Sequence, residues 1–454
     1  MAAPSTFGEL GLSIIGVGTE YPPHSLDHTA VDILSERFYP DTPSMKKVRG
    51  INQYTGIDTR SSIGTPDHPL VNQQIAPSIA ELHRVFQSDG VPLAIEAARR
   101  AIAEAKIDTR LITHMVATTC TDSANPGFDH FVAKGLGITH SVEKVLLHGV
   151  GCSGGLAALR TGANLALGRT ARGLPARVLC VALEVSTTMV RSELDSINEL
   201  QETRIGPCLF SDCGSAVVLS NGIGEPAESV YDLLGWDHRI IPDTEDDLGF
   251  DVDPVGWKVV LTPRVPKLAG ASISPAFNDL KASLPHLPPD YQNAADFDWA
   301  MHPGGATILS GAERAMDITA EHMRASYDTY INHGNSSSAT IFSVLNRLRS
   351  KEMDVLAPGG RVRDYVVGCA FGPGISVEMC MLKRNMKHGT SAAVSGLQTP
   401  PETPPETESE SSEVGDGEWG PELSGSPAGK DSAMGARDQD ESFVTEALEN
   451  LDLD

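Results

Sequence analysis

One cysteine of this sequence lies in a setting that suits a nucleophile. The apolar segment KVLLHGVG leads into Cys152, which is followed by Ser153-Gly154-Gly155 and the mostly small, apolar stretch LAALRTGANLALG. Glycines permit a sharp turn from strand to helix and the close approach of a substrate. At the N-terminus of the following helix, the helix dipole would stabilise the thiolate and lower the thiol pKa. Cys152 is therefore a candidate covalent nucleophile. The alternative is a cysteine that only fills a glycine-rich crossing.

Two further residues could act on a carbonyl group beside that thiol. His302 follows the apolar segment DWAM and precedes Pro303-Gly304-Gly305, which leaves space for a ligand next to the imidazole. Asn335 opens the serine-rich helix start NSSSATIFSVL. Taken singly, His302 also fits a hydrogen-bonded structural role, and Asn335 fits a helix N-cap. The order Cys, His, Asn, with spacings of 150 and 33 residues, favours one shared site.

The segments around these three residues alternate between short apolar strands and helices. Strands are predicted at LSIIGVGTE, ITHMVATTCT, VEKVLLHGVG, ARVLCVALEV, GSAVVLSNG, FDWAM, RVRDYVVGCAFG and GISVEMCML. Apolar residues at helical spacing predict helices at PLAIEAARRAIAEAKI, GGLAALRTGANLALGR, GAERAMDI and SSATIFSVLNRLRSK. The second of these helices is apolar on nearly every face and is expected to be buried. The pattern predicts an α/β fold whose strands are covered on both faces.

Composition argues against several classes of function. The 454 residues are 40% hydrophobic and carry a net charge of −25, with no basic stripe that would suit a nucleic acid. The N-terminus has neither the basic nor the apolar region of a secretory signal, and no apolar run of about 18 residues could span a membrane. Seven cysteines without CxxC or metal-ligand spacing indicate reduced thiols in a cytoplasmic protein and predict no metal site.

The C-terminal segment 386–454 differs in composition from the rest of the chain. From Ser391 to Asp454 there are 16 acidic residues against Lys430 and Arg437, so this stretch carries a net charge of −14 and the other residues carry −11. Proline, glutamate, serine and glycine dominate it, and such a segment has too little apolar surface to fold alone. We expect an acidic, disordered tail. A weak amphipathic docking helix at ESFVTEALENLDLD is the alternative.

Together with two further segments, the three candidate residues resemble the motifs of the type III polyketide synthases, the chalcone and stilbene synthase family. The segment GCAFGPGISVE, which contains Gly372 and Pro373, resembles the family's Gly-Phe-Gly-Pro-Gly signature with Ala370 in place of the first glycine. LFSDCGSAVVL resembles its Leu-Phe-Gly-Asp-Gly segment. The resemblance covers about residues 10 to 385.

This resemblance implies a fold and a reaction. The fold is a thiolase-like, layered αβαβα arrangement of two pseudo-equivalent halves, 1–228 with the nucleophile and 229–385 with the other two residues. In the family's reaction, the Cys152 thiolate, paired with an imidazolium at His302, takes an acyl group from a CoA starter. His302 and Asn335 then donate hydrogen bonds to the thioester carbonyl of malonyl-CoA, where an enolate oxyanion develops as the carboxyl group leaves. The resemblance implies a homodimer that needs no metal or redox cofactor.

The resemblance also assigns residues to the substrate cavity. Phe210 matches the gatekeeper aromatic between the CoA tunnel and the cavity, and Val259 falls where plant members carry a second gatekeeper phenylalanine. Phe250 aligns with a position at which bulk reduces the cavity volume. The remaining assignments are Ser186, Met189, Cys120, Gly372 and Pro373 at the cavity, and Asn125 at the dimer interface.

Two basic residues suit the phosphates of CoA. Lys46 and Arg49 keep the three-residue spacing of two CoA-binding residues in plant members, whereas the third basic position of those members appears as Gln53. Gly305 is assigned to the same mouth. A solvated surface patch is the alternative for Lys46 and Arg49.

The resemblance extends to the class of starter. The small side chains at Ser186 and Val259 argue against an aromatic starter, and the acidic, proline-rich tail is typical of fungal members. Those members accept medium to long fatty acyl-CoA starters and release alkylpyrones, resorcinols or resorcylic acids. We therefore expect a fatty acyl starter for this chain.

Other functions share part of the pattern. A ketoacyl-carrier-protein synthase of the initiating type has the same three residues, but it condenses once, takes malonyl from a carrier protein and lacks the Phe-Gly-Pro-Gly segment. Hydroxymethylglutaryl-CoA synthase uses a glutamate base and thiolase a second cysteine, so neither fits Asn335. An inactive thiolase-fold scaffold, with a tail that recruits partners, has no need to keep all three residues.

Overall fold

The computed structural model describes residues 6–138, 142–224, 227–253, 256–387, 389 and 398–400, so most of the predicted tail, 386–454, lies outside the described residues. Its strands are β1 Leu12–Glu20, β2 His24–Leu26, β3 Arg60–Ser62, β4 His114–Thr118, β5 Glu143–Leu147, β6 Arg177–Val185, β7 Asp212–Ser220, β8 Tyr231–Ile240, β9 Leu248–Asp253, β10 Gly256–Leu261, β11 Asp298–Met301, β12 Tyr365–Gly372 and β13 Ser376–Arg384. Its α-helices are α1 Thr29–Phe38, α2 Pro43–Gln53, α3 Ile79–Val85, α4 Val91–Ala105, α5 Phe128–Leu136, α6 Gly154–Thr170, α7 Val190–Leu200, α8 Gly206–Leu209, α9 Arg264–Ala282, α10 Ala306–Met316, α11 Arg324–His333, α12 Thr340–Leu348 and α13 Lys351–Val355.

The large sheet consists of two sets of strands with matching topology. Its order is β5-β4-β6-β7-β1 in the first set, continued by β8-β13-β12-β11 in the second. In the first set β4 and β6 are parallel, and β7 is antiparallel to both β6 and β1. In the second set β11 and β12 are parallel, and β13 is antiparallel to both β12 and β8. The corresponding strands therefore share order and direction, as expected for two pseudo-equivalent halves.

Helices complete the layers on both sides of each set. Helix α4 packs on the outer face of the first set, and α9, paired with α10, packs on the outer face of the second. Helices α6 and α12 contact strands of both sets and each other, so they form the central layer. A Cβ atom at Gly155 would lie 2.4 Å from Cγ2 of Ile341, so this glycine permits the close crossing of the two central helices.

The prediction that α6 is buried on nearly every face is right only for its first half. Residues Gly154–Leu159 are buried, whereas Asn164, Gly168 and Thr170 are exposed. The C-terminal half of the helix therefore extends beyond the cover of the two strand sets.

A separate hairpin, formed by β9 and β10, lies outside the large sheet. Its antiparallel register places Val259 opposite Phe250. Among the described residues, no helix has both the length and the apolar composition needed to cross a bilayer.

Candidate active site

Cys152 lies in a short 3₁₀ turn, Gly151–Ser153, directly before the central helix α6. Gly151 has a φ of +46°, and a Cβ atom there would lie 2.6 Å from Cδ of Pro373, so both the backbone and the contact require glycine. A Cβ atom at Gly372 would likewise lie 2.3 Å from Oγ of Ser153. The predicted signature loop thus packs directly against the turn that carries the candidate nucleophile.

The seven cysteines differ in accessibility. Cys152 is half-buried, and the six others, Cys120, Cys180, Cys208, Cys213, Cys369 and Cys380, are buried. Only a thiol that a substrate can reach can act as a nucleophile. This difference in exposure distinguishes Cys152 from the remaining thiols.

His302 directly follows β11 and is held by the strand register. Its backbone N–H donates to the carbonyl of Cys369 at 2.8 Å. His302 therefore lies beside β12, the strand that leads into the signature loop. The side chain is only 1% exposed, and neither ring nitrogen has a hydrogen-bond partner among the described residues. A purely structural histidine would be expected to use those nitrogens, so the observation favours a functional role.

The carboxamide of Asn335 has a defined orientation. Its Oδ1 accepts from the backbone N–H of Ser337 at 2.8 Å, and its Nδ2 donates to the carbonyl of Gly304 at 3.2 Å. The first bond is a local contact to the backbone two residues further along. The N-cap role considered for Asn335 is wrong, because Ser336 caps the 3₁₀ turn that follows and Ala339 precedes α12. Because the oxygen is occupied, the amide group points towards the segment of His302, and its second N–H is available to a ligand.

Ser337 connects the candidate nucleophile to a buried polar network that the sequence analysis missed. Its hydroxyl lies 3.4 Å from Sγ of Cys152 and 3.4 Å from Sγ of Cys120. Cys120 in turn donates from its backbone N–H to Glu184 at 3.1 Å. Ser338 also donates to Glu184. A glutamate inside the otherwise apolar strand segment ARVLCVALEV was the sequence signal that could have revealed this network.

The charge states of the two catalytic candidates differ from the sequence prediction. Burial raises the pKa of the Cys152 thiol to about 11, although its hydrogen bond with Ser337 acts in the opposite direction. Burial lowers the pKa of His302 to about 3. At neutral pH both groups are therefore uncharged in this arrangement. The thiol pKa is therefore raised, not lowered as expected, because desolvation is the largest contribution and the charge of Glu184 adds to it.

A partly open cavity lies next to Phe210, and Cys152, His302 and Asn335 are not among the residues that line it. Four residues that the sequence analysis assigned to the substrate cavity contribute to its wall, together with aliphatic residues of α1: Ser186, Met189, Phe210 and Val259, with Ala30, Val31 and Leu34. Phe210 lines this cavity and forms an isolated parallel bridge with Asn335, so the cavity wall and Asn335 are adjacent at this point. The structure thus brings these four predicted residues together.

The wall near Ser186 is held by one buried carboxylate. Asp212 accepts from the backbone N–H groups of Ser186 at 2.7 Å, Thr187 at 2.8 Å and Ile63 at 2.9 Å. Burial raises the pKa of Asp212 to about 6, which these hydrogen bonds oppose. The position of Ser186 therefore depends on Asp212, a second residue that sequence reasoning missed.

The remaining cavity and interface predictions lie in different places. The ring of Phe250 is 6.2 Å from that of Phe210, and its side chain packs with Met189. Cys120 belongs to the Glu184 network described above. Asn125 is exposed on the surface, before Pro126, and its assignment to a dimer interface stays a prediction.

The two predicted CoA-binding cations are paired with carboxylates. Nζ of Lys46 lies 3.2 Å from Asp41, and Nε of Arg49 lies 3.1 Å from Asp32. A CoA phosphate would compete with these pairs. Gly305 directly precedes α10, and a Cβ atom there would meet nothing within 4 Å, so there is open space beside it. The CoA assignments stay predictions.

Comparisons with known proteins identify the family. The domain described as "Chalcone and stilbene synthases, N-terminal domain" matches residues 12–223, and the corresponding C-terminal domain matches residues 234–386. The chain belongs to the chalcone and stilbene synthase family. It is a type III polyketide synthase and an acyltransferase. Family membership favours this reading over the ketoacyl synthase and scaffold alternatives.

Relatives of this type III polyketide synthase include two curated fungal proteins. Acylalkylpyrone synthase csyB of Aspergillus oryzae is 39% identical over 378 residues, which cover 82% of this chain and 94% of that protein. Type III polyketide synthase pspB of Penicillium soppii is 38% identical over 395 residues, covering 82% of this chain and 96% of that protein.

Solved structures confirm the predicted fold. A type III pentaketide synthase from Neurospora crassa is 72% identical and matches with a TM-score of 0.82, covering 83% of this chain and all of that one. CsyB complexed with CoA-SH is 38% identical and matches with a TM-score of 0.78 over 82% of this chain. No cluster of three His, Cys, Asp or Glu side chains that could hold a metal occurs in the described part of the polyketide synthase.

Proposed function

We propose that this polyketide synthase loads a medium- or long-chain fatty acyl group from CoA onto Cys152, extends it with malonyl-CoA and cyclises the product. The observation that carries this proposal is the cavity behind Phe210, whose wall includes small and aliphatic side chains such as Ser186 and Val259. An apolar chain bound there gains about 0.8 kcal/mol for each buried methylene. The relative csyB is an acylalkylpyrone synthase, which supports an alkyl chain and an alkylpyrone product for this chain. A resorcinol or resorcylic acid is the alternative product class.

Starter loading begins with Cys152 and His302 both uncharged. The buried imidazole of His302 has no hydrogen-bond partner among the described residues, and we propose that it takes the proton of the Cys152 thiol as Sγ attacks the thioester carbonyl. This transfer requires that the thiolate forming beside the imidazole raise the pKa of His302 and that the imidazolium lower the pKa of Cys152, because an opposite charge nearby favours each charged form. A carbon–sulfur bond forms to Cys152, and the bond to CoA breaks. The imidazolium then returns its proton to the CoA thiolate. The pair becomes charged only during the transfer, which avoids an isolated charge in the resting site.

Extension uses the donors near Gly304. Malonyl-CoA places its thioester carbonyl against Nδ2 of Asn335 and the ring N–H of His302, and loss of CO₂ leaves an enolate whose oxygen these donors stabilise. The enolate carbon attacks the thioester on Cys152, which releases the thiolate and lengthens the chain by two carbons. Decarboxylation supplies the nucleophile, so we propose that the reaction needs no metal or redox cofactor.

Filling the cavity tests the starter class. Ser186→Phe adds a large side chain to the wall, so we expect loss of activity with long starters and retained activity with acetyl-CoA or hexanoyl-CoA. Shortening the accommodated chain by two carbons changes binding by roughly tenfold. Competition between labelled short and long acyl-CoA starters measures the shift.

The matched control for this experiment is Ser186→Ala, which keeps the cavity volume and should keep the starter preference. An unchanged preference in a folded Ser186→Phe variant would place the acyl chain elsewhere. Equal loss with every starter would mean that Ser186 serves the condensation itself.

Two further proposals concern assembly and location. We propose a homodimer, with Asn125 and the exposed segment around it at the interface. Sedimentation at several concentrations tests this, and a monomer at micromolar concentration contradicts it. We also propose a cytoplasmic location, which the seven unpaired cysteines support.

We propose that CoA binds at the mouth of the site, near Gly305, Lys46 and Arg49. The CoA-SH bound to the relative CsyB supports this proposal.

A further inference from the structure

Glu193, on α7, is a buried carboxyl group in the wall of the acyl cavity. It is 3% exposed and contributes to the cavity lining. Its Oε1 accepts a hydrogen bond from the backbone N–H of Val259 at 2.7 Å, whereas its Oε2 has no partner among the described residues. A carboxyl group in an apolar wall carries a desolvation cost, so its presence requires an explanation.

That hydrogen bond holds one strand of the hairpin formed by β9 and β10. The carbonyl of the same residue, Val259, accepts from Nη1 of Arg204 at 3.2 Å, so both backbone groups of Val259 are held by the body of the protein. Val259 pairs in register with Phe250, whose ring lies 6.2 Å from that of Phe210. The cavity residue Val259, and through it the neighbouring Phe250, therefore depend on the contact with Glu193.

We propose that Glu193 is a positioning residue that sets how strictly the cavity selects acyl length, because its carboxyl group holds β10, and β9 through it, against the cavity. The proposal rests on the proposed function, in which the starter chain occupies this cavity. Without the contact, Val259 and Phe250 would be free to move outward with the hairpin. The cavity would then accept chains that the closed hairpin excludes.

The charge state of Glu193 gives this positioning a pH dependence. Burial raises the pKa of Glu193 to about 7, and the hydrogen bond from Val259 and the charges of Arg204 and Lys258 oppose the shift. The thiol of Cys208 also interacts with Glu193 electrostatically. A carboxyl group with a raised pKa stabilises the closed arrangement fully only below its ordinary pKa, and that contribution is lost as the pH rises from there through the pKa of about 7 in the closed arrangement. Above this pH, the buried carboxylate favours an arrangement in which water reaches its second oxygen.

The test compares two starters at two pH values in the intact enzyme. The measured quantity is the ratio of kcat/KM for the best starter to kcat/KM for a starter two carbons longer, at about pH 6 and about pH 8.5. Both starters use the same Cys152 chemistry, so the ionisation of that site cancels in the ratio. For the wild-type enzyme we expect a ratio of about tenfold at the lower pH, because the closed cavity cannot bury the two additional methylenes of the longer starter. At the higher pH we expect a ratio of at most about threefold.

Three variants separate positioning from general stability. Glu193→Gln keeps an oxygen that accepts from Val259 but cannot ionise, so its ratio should stay high at both pH values. Glu193→Leu lacks the acceptor, so its ratio should be low at both. Glu199→Gln, an exposed change on the same helix, should behave like the wild type. Thermal melting shows whether each variant folds.

A wild-type ratio that does not change with pH, or a Glu193→Gln ratio that follows the wild-type pH profile, would overturn the proposal. If Glu193→Leu does not fold, the pH dependence of the kcat/KM ratio in the wild type and in Glu193→Gln is sufficient to test the proposal. Failure of the proposed function has a different signature, because in that case no fatty acyl-CoA of any length is converted.

Discussion

Replacing Cys152 with alanine is expected to abolish product formation with every starter, while the fold is retained. Only a thiol at this position can carry the acyl chain between condensations, and Cys152 is the one cysteine that is not buried. Mass spectrometry of the intact protein after incubation with an acyl-CoA should show an acyl adduct on the wild type and none on the variant. Cys380→Ala, which replaces a buried cysteine of β13, serves as the control and should keep activity.

Alkylation of Cys152 tests the charge state of the resting site. Iodoacetamide reacts with the thiolate, and burial raises the thiol pKa to about 11. The rate of labelling should therefore rise continuously from about pH 7 towards pH 11, and Cys152 should still react before the six buried cysteines. A rate that is already at its plateau near pH 7 would show instead that a thiolate–imidazolium pair with His302 exists before substrate binds.

Removing the amide donor of Asn335 is expected to slow decarboxylation of malonyl-CoA by roughly 10²-fold or more, the usual effect of losing one oxyanion donor. Starter loading on Cys152 should persist, because that step uses His302 and not the amide. The release of CO₂ from labelled malonyl-CoA and the amount of acyl adduct measure the two steps separately. Loss of loading with retained decarboxylation would reverse the assigned roles.

The choice of variant at Asn335 matters, because its Oδ1 also accepts from the backbone of Ser337. Asn335→Asp keeps that acceptor and removes both N–H donors, whereas Asn335→Ala removes both functions. Both variants should lose decarboxylation if the donor is what counts, and Asn335→Asp should lose more, because its carboxylate repels the developing enolate. Asn332→Ala, an exposed change at the end of α11, is the matched control and should leave both steps unchanged.

The sequence by itself determined the family, the alternating α/β elements and the three candidate catalytic residues. These features depend on local signals: glycines that permit the turn at Cys152, apolar segments of strand length, and short motifs whose order along the chain is specific. The pocket residues Ser186, Met189, Phe210 and Val259 could also be predicted, although only by resemblance to the family, and the structure brings them to one cavity.

The tertiary structure alone decided the electrostatics of the site and the contacts that position its walls. The pKa of Cys152 depends on how completely the fold removes water from the thiol, which motif and spacing do not report. Glu193 stands in the sequence as an ordinary acidic residue, and Glu184 is marked only by its place in a largely apolar strand segment. Their roles arise from hydrogen bonds to residues 64 and 66 positions away along the chain, Cys120 and Val259. Local patterns carry no information on such long-range contacts, because only the packing of the complete fold brings the partners together.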